Sequence, residues 1–214
     1  MNRFLNPENW LWRFFSRLAD FFFTSACWLI CCIPVLTIGS ATIALYDTVA
    51  HCVRGGEGEM FRRFFRTFKN ELLRGCLLTV LFAAIAFLLN AGYQILVQSS
   101  QGSNTMTVVS IVYFCSLFIP LGWACWCVAL ESRFVYPFGQ LLRNGFAFTF
   151  GYLPQTAVIV IIFVLALNLC INLPFLLVFA PGAAAYFQSR FIEKVFIKYM
   201  PEEEEDSIEE SPAE

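Results

Sequence analysis

The chain has 214 residues, of which 58% are hydrophobic and 14% charged, with 25 phenylalanines and a mean hydropathy of +0.66. A soluble globule is about 45–50% apolar and about 25% charged, so this composition excludes a water-soluble enzyme or nucleic-acid-binding domain and predicts an integral membrane protein. The net charge of −2 conceals an asymmetry, because the terminal PEEEEDSIEESPAE (201–214) holds eight of the sixteen acids and leaves fourteen basic against eight acidic residues before it.

The first element is aromatic. In NPENWLWRFFSRL, Asn6 reads as a helix cap and Pro7 as the first helical position. Trp10, Trp12, Phe14 and Phe15 follow as part of an interfacial aromatic belt. Residues 1–17 are therefore read as an N-terminal interfacial segment, and residues 18–200 as a single transmembrane helical domain.

Within that domain the first apolar tract, 18–53, breaks at IPVLTIGS. Pro34 ends one helix, and Gly39 to Ala41 can start another. Thr37 and Ser40 can satisfy the backbone groups freed by the turn. Pro34, Thr37, Gly39 and Ser40 are thus expected to form the outer turn of a hairpin. Its second leg, 38–54, is only about 25 Å long at about 1.5 Å per residue, short of the ~30 Å hydrocarbon core.

MFRRFFRTFKNELLRG (60–75) is amphipathic at helical spacing. Phe61, Phe64, Phe65, Phe68 and Leu72 share one face, and Arg62, Arg63, Arg66 and Lys69 form a basic, lipid-facing patch suited to an anionic leaflet. Two uninterrupted spans follow, 75–97 and 107–130, joined by the uncharged QSSQGSNTM. The last tract, 152–197, breaks at LPFLLVFAPG. At an offset of 140 residues, Pro34, Leu36, Ala44 and Tyr46 match Pro174, Leu176, Ala184 and Tyr186. That echo predicts two related hairpins flanking the central one in parallel orientation. The acidic tail 201–214, dense in like charge and without aromatics, reads as disordered.

The basic clusters settle the expected topology, since cytoplasmic loops carry the excess Lys and Arg. If each broken tract crosses twice, all fourteen basic residues fall on one side and both termini are cytosolic. The fold class is therefore an all-α polytopic transmembrane bundle of three helical hairpins. It has four full spans plus two short or re-entrant legs, with amphipathic interfacial helices. Six crossings, or four with the short legs inside the bundle, both satisfy the charges.

Candidate chemistry is sparse. Charges within spans are costly, and Asp47 and Arg190 lie at similar depths in the two short legs, so they are expected to pair. Asn90, Asn168 and Asn172 suit interhelical hydrogen bonds. The nine cysteines lie mostly in apolar runs, where they pack as small hydrophobes. A single His51 and the Cys125/Cys127 spacing do not build a metal site. No hydrolase, metalloprotease or phosphate-loop motif occurs, so neither a catalytic residue nor a cofactor is expected.

FLNPENWLWRFFSRLADFFFTSACWLICCIPVLTIGSATIALYD, then GEGEMFRRFFRTFKNELLRG, RFVYPFGQLLRNGFAFTFGYLP and PGAAAYFQSRFIEKVFIKYM, resemble the YesL-like family of bacterial membrane proteins. LTIGSATIALYD is the most specific stretch. The family is one of unknown function, with many members encoded beside genes for complex-carbohydrate uptake and breakdown. The resemblance implies a Gram-positive bacterial inner membrane and an association with sugar uptake; together with the absent chemistry, the basic inner face and the acidic tail, it leads to the expectation of a non-catalytic accessory or regulatory partner of a sugar-transport permease or membrane sensor. A small transporter or channel acting alone as a homo-oligomer is the alternative.

Overall fold

The computed structural model describes residues 10–53, 60–99, 103–134 and 136–196. The expected Asn6–Pro7 cap and the acidic tail 201–214 lie outside the described residues. Among those described, the chain is all-helical: α1 (Trp10–Cys31), α2 (Ile38–Thr48), α3 (Met60–Asn70), α4 (Leu72–Ser99), α5 (Ser103–Arg133), α6 (Phe138–Gly151), α7 (Leu153–Asn172) and α8 (Ala180–Phe196). Residues 10–17 run without a break into the same helix as 18–31.

Three hairpins organise these helices: α1 with α2, α4 with α5, and α7 with α8. Leu72–Leu96, Val108–Arg133 and Leu153–Asn172 are long and apolar enough to cross a membrane, and Ala19–Cys31 is a shorter apolar helix. Side chains such as Phe87, Leu88, Ile111, Val112, Ile161 and Leu165 are exposed along them. Removing that apolar surface from water is favourable by roughly 25 cal/mol per Å², and lipid is the solvent that removes it. The remaining legs are short. Helix α2 continues as a π-helical turn, Val49–Val53, and spans about 24 Å with it, while α8 spans about 25 Å.

Both broken tracts share one design. Each long helix ends, a 3-10 turn follows (Val35–Thr37 or Pro174–Val178), and a short helix returns. The 140-residue echo therefore extends to secondary structure, with Leu36 and Leu176 inside corresponding turns. It does not extend to environment. Tyr46 sits in the main core, whereas Tyr186 packs edge-on against Phe21 at a ring separation of 5.6 Å.

Helix α2 is the centre of the bundle. Every residue from Ser40 to Ala50 except Thr42 is buried. A helix buried all round needs small or apolar side chains on every face, which Ser40, Ala41, Ile43, Ala44, Leu45 and Val49 supply. Its N-terminus crosses α4 at a glycine pair. A Cβ on Gly39 would collide with the Gly75 carbonyl, and one on Gly75 with the Ser40 backbone. The Gly39 N–H donates to Thr79 Oγ1 at 2.8 Å. Close backbone approach through small residues is the usual way helices associate in lipid.

The main core gathers around Trp126, which is fully buried. Its indole N–H donates to Thr156 Oγ1 at 2.9 Å, and its ring stacks on Phe148 at 5.3 Å. Helix α6, not distinguished in the sequence reading, delivers Phe148 and Leu141 to this core. Cys127 and Cys27 are buried as ordinary core residues.

Candidate functional site

Hairpin geometry gathers the ends of α2, α5 and α8 and the starts of α4 and α7 at one end of the bundle, here the charged end. The two 3-10 turns lie at the opposite ends of α2 and α8, here the turn end, with Gly39, just after the first of them, beside Gly75 and Thr79 near the start of α4.

At the charged end, Asp47 is 5% exposed. Burying a lone carboxylate is prohibitive unless it is paired and hydrogen-bonded. Arg63 clamps it, Nε donating to Oδ2 at 3.0 Å and Nη2 to Oδ1 at 3.1 Å. Thr67 Oγ1 donates to Oδ2 at 2.7 Å. His51, one turn on, lies with Nδ1 3.0 Å from Oδ1. The Asp47–Arg190 pair expected from sequence does not form. Arg190 is exposed and lies over the Tyr186 ring, 6.0 Å from its centroid. Matching depths did not bring them together, because Arg63 reaches Asp47 from only 16 residues away.

That result rephases α3. Its inward face carries Met60, Arg63, Phe64, Thr67 and Phe68, with Phe64 fully buried, while Phe61 and Phe65 are exposed. An entirely apolar inward face would leave Asp47 unpaired. Arg63 therefore leaves the expected lipid-facing patch, and Arg62, Arg66 and Lys69 remain on the exposed side.

The network continues through His51. Arg133 Nη1 lies 2.9 Å from His51 Nε2. A guanidinium can only donate, so Nε2 accepts and Nδ1 carries the ring proton toward Asp47. Arg133 also grips Glu193 with two bonds, Nε to Oε1 at 3.1 Å and Nη2 to Oε2 at 2.6 Å. A chain of polar contacts thus runs from α3 through α2 and α5 to α8, tying the first broken hairpin to the last. Beside it, Arg74 Nη1 donates to Glu131 Oε1 at 2.8 Å. Glu71, in the turn before α4, meets Glu131 carboxyl to carboxyl, and burial together with that neighbour pushes Glu71 up to about 7. Two carboxyls in such contact are satisfied by one shared proton.

The turn motif works as local chemistry requires. Thr37 Oγ1 lies 2.6 Å from both the Cys31 and Pro34 carbonyls, and Ser40 Oγ donates to the Thr37 carbonyl at 2.9 Å. The turn closes its own backbone groups, while Ile33, Val35 and Leu36 point outward, 59–77% exposed. The turn is greasy outside and hydrogen-bonded inside, with Thr37 and Ser40 bonding its backbone carbonyls. Asn172 Nδ2 bonds its own helix at the Asn168 carbonyl, 2.8 Å away, and not a neighbouring helix.

Between the two ends lies an apolar cavity of about 430 Å³, lined from α1, α2, α4, α5, α7 and α8 and by both turns. Four of its polar side chains bond within the bundle: Trp28 Nε1 donates to Thr42 Oγ1, Thr42 to the Ile38 carbonyl, Thr79 to the Gly75 carbonyl and Gln188 to the Ile159 carbonyl. Among the described residues no group of His, Cys, Asp or Glu is arranged to hold a metal ion.

Fold and site together define a polytopic all-α membrane protein whose buried charges are paired and whose interior is apolar. Residues 8–93, from the first helix through most of α4, match the model of a family described as protein of unknown function, DUF624. The match takes in the turn motif, Asp47, Arg63 and Glu71. No curated protein and no solved structure gives a significant match.

Proposed function

We propose that this protein is a non-catalytic accessory or regulatory partner of a bacterial carbohydrate-uptake system, seated in the inner membrane with its charged end and both termini in the cytosol. The observation that carries the reading is how the buried polar groups are used. Asp47 pairs with Arg63 and Glu193 with Arg133, and Trp28, Thr42, Thr79 and Gln188 in the central cavity bond to the bundle itself. A sugar path needs convergent unsatisfied donors and acceptors, because every buried hydroxyl left unpaired is costly. The arrangement suits a scaffold better than a conduit. The carbohydrate assignment rests on the YesL-like resemblance, and the orientation on the Arg and Lys of α3 and its flanks.

Affinity purification from native membranes with quantitative mass spectrometry tests this. Stoichiometric recovery of permease or sensor subunits is the expected result. Recovery of a homo-oligomer alone, active in sugar transport, would establish the transporter alternative instead.

A further inference from the structure

We propose that the central cavity is a lipid site that holds one acyl chain of a membrane phospholipid. Three observations lead there. The cavity, about 430 Å³, falls within the usual range of about 300–1,000 Å³ for small-molecule sites. It is elongated: Leu121 to Val128 on α5, Phe163 to Cys170 on α7 and Pro181 to Gln188 on α8 all contribute, a run of about 10 Å along the bundle axis. Two of its lining residues, Val35 and Leu177 in the two 3-10 turns, are 69% and 36% exposed.

Water is a poor occupant. A buried water needs two to four polar partners, and the Trp28, Thr42, Thr79 and Gln188 groups already donate within the bundle. A sugar fails for the same reason. An unbranched hydrocarbon asks for no partner, fits an elongated chamber and is the most abundant solute at that depth. The headgroup would remain outside the chamber, in the interfacial region, while the chain lies against the apolar lining side chains of α5, α7 and α8. The site is independent of the proposed role in sugar uptake.

The test uses the full-length protein in phosphatidylglycerol–phosphatidylethanolamine vesicles doped with a phospholipid that carries a diazirine on one acyl chain. After irradiation, peptide mapping reads where the chain lay. The expected result is labelling of 121–128 and 163–170 on their cavity faces, beside annular labelling of outward residues such as Phe87 and Leu88. Ala124→Phe or Ala166→Phe, which fill the chamber, should reduce the interior labelling at least tenfold and leave the annular labelling unchanged. The annular signal reports that either variant is folded, and the wild-type map stands if neither is. Purely annular labelling in the wild type overturns the proposal. So does interior labelling by a diazirine fatty acid and not by the phospholipid.

Discussion

Replacing Arg63 with alanine removes the guanidinium that clamps Asp47. The carboxylate, 5% exposed, would keep only Thr67 and His51. Breaking one side of a buried ion pair destabilises by about 3–5 kcal/mol, because an uncompensated charge stays behind. Arg66→Ala and Lys69→Ala on the exposed side of the same helix should each cost within about 0.5 kcal/mol. Arg190→Ala should also be mild. The assay is thermal unfolding in detergent, read by fluorescence-detected size exclusion, with chemical denaturation to place the differences on an energy scale. Asp47→Asn combined with Arg63→Met provides the control. Removing both charges together should recover most of the loss, since a buried pair is often replaceable by neutral groups of similar volume. Equal effects of Arg63→Ala and Arg66→Ala would refute the inward assignment of Arg63. A larger effect of Arg190→Ala would restore the pairing expected from sequence.

Gly39→Ala drives a methyl into the Gly75 carbonyl, so it should destabilise by about 1–3 kcal/mol as overpacking does, seen as a lower denaturation midpoint. Glu71, pushed up to about 7 from the ordinary glutamate value of 4.5 by burial and the Glu131 carboxyl, binds its proton more tightly folded than unfolded. Stability should therefore fall as pH rises between those values, and Glu71→Gln should flatten that slope in melting curves taken across the window. In a cysteine-free background, Val35→Cys and Leu177→Cys should resist a membrane-impermeant maleimide, because both turns present apolar surfaces. Gln101→Cys should label from outside and Lys69→Cys only after permeabilisation; the reverse pattern for these two would invert the proposed topology.

The long spans of α4 and α5 were legible because 75–97 and 107–130 are uncharged apolar runs whose length alone matches the bilayer. Pro34 and Pro174 marked both turns, since proline disfavours continuing a helix and the matching offset repeated the break. The buried character of α2 was less visible. Gly39, Ser40, Ala41 and Ala44 read as turn and helix-start residues, yet small side chains equally signal a helix packed on all sides, as at the Gly39–Gly75 crossing. Phase was misjudged in α3, where five aromatic and aliphatic positions outweighed the spacing of Arg63 and Thr67. Those two are four residues apart and share a face with Phe64, and a buried aspartate in the preceding helix needed that donor pair. Helix α6 was missed because Arg143 and three glycines dilute its apolar pattern. The His51–Arg133–Glu193 contacts join residues 82 and 60 positions apart, a proximity that only the packing of α2, α5 and α8 creates.

Flux through the purified protein in sealed proteoliposomes, measured with a panel of labelled mono- and oligosaccharides, tests the central claim most directly. Uptake no greater than that of empty vesicles is the predicted result for every sugar. Saturable uptake that is abolished by Ala124→Phe would show that sugars pass through the chamber and would contradict the account.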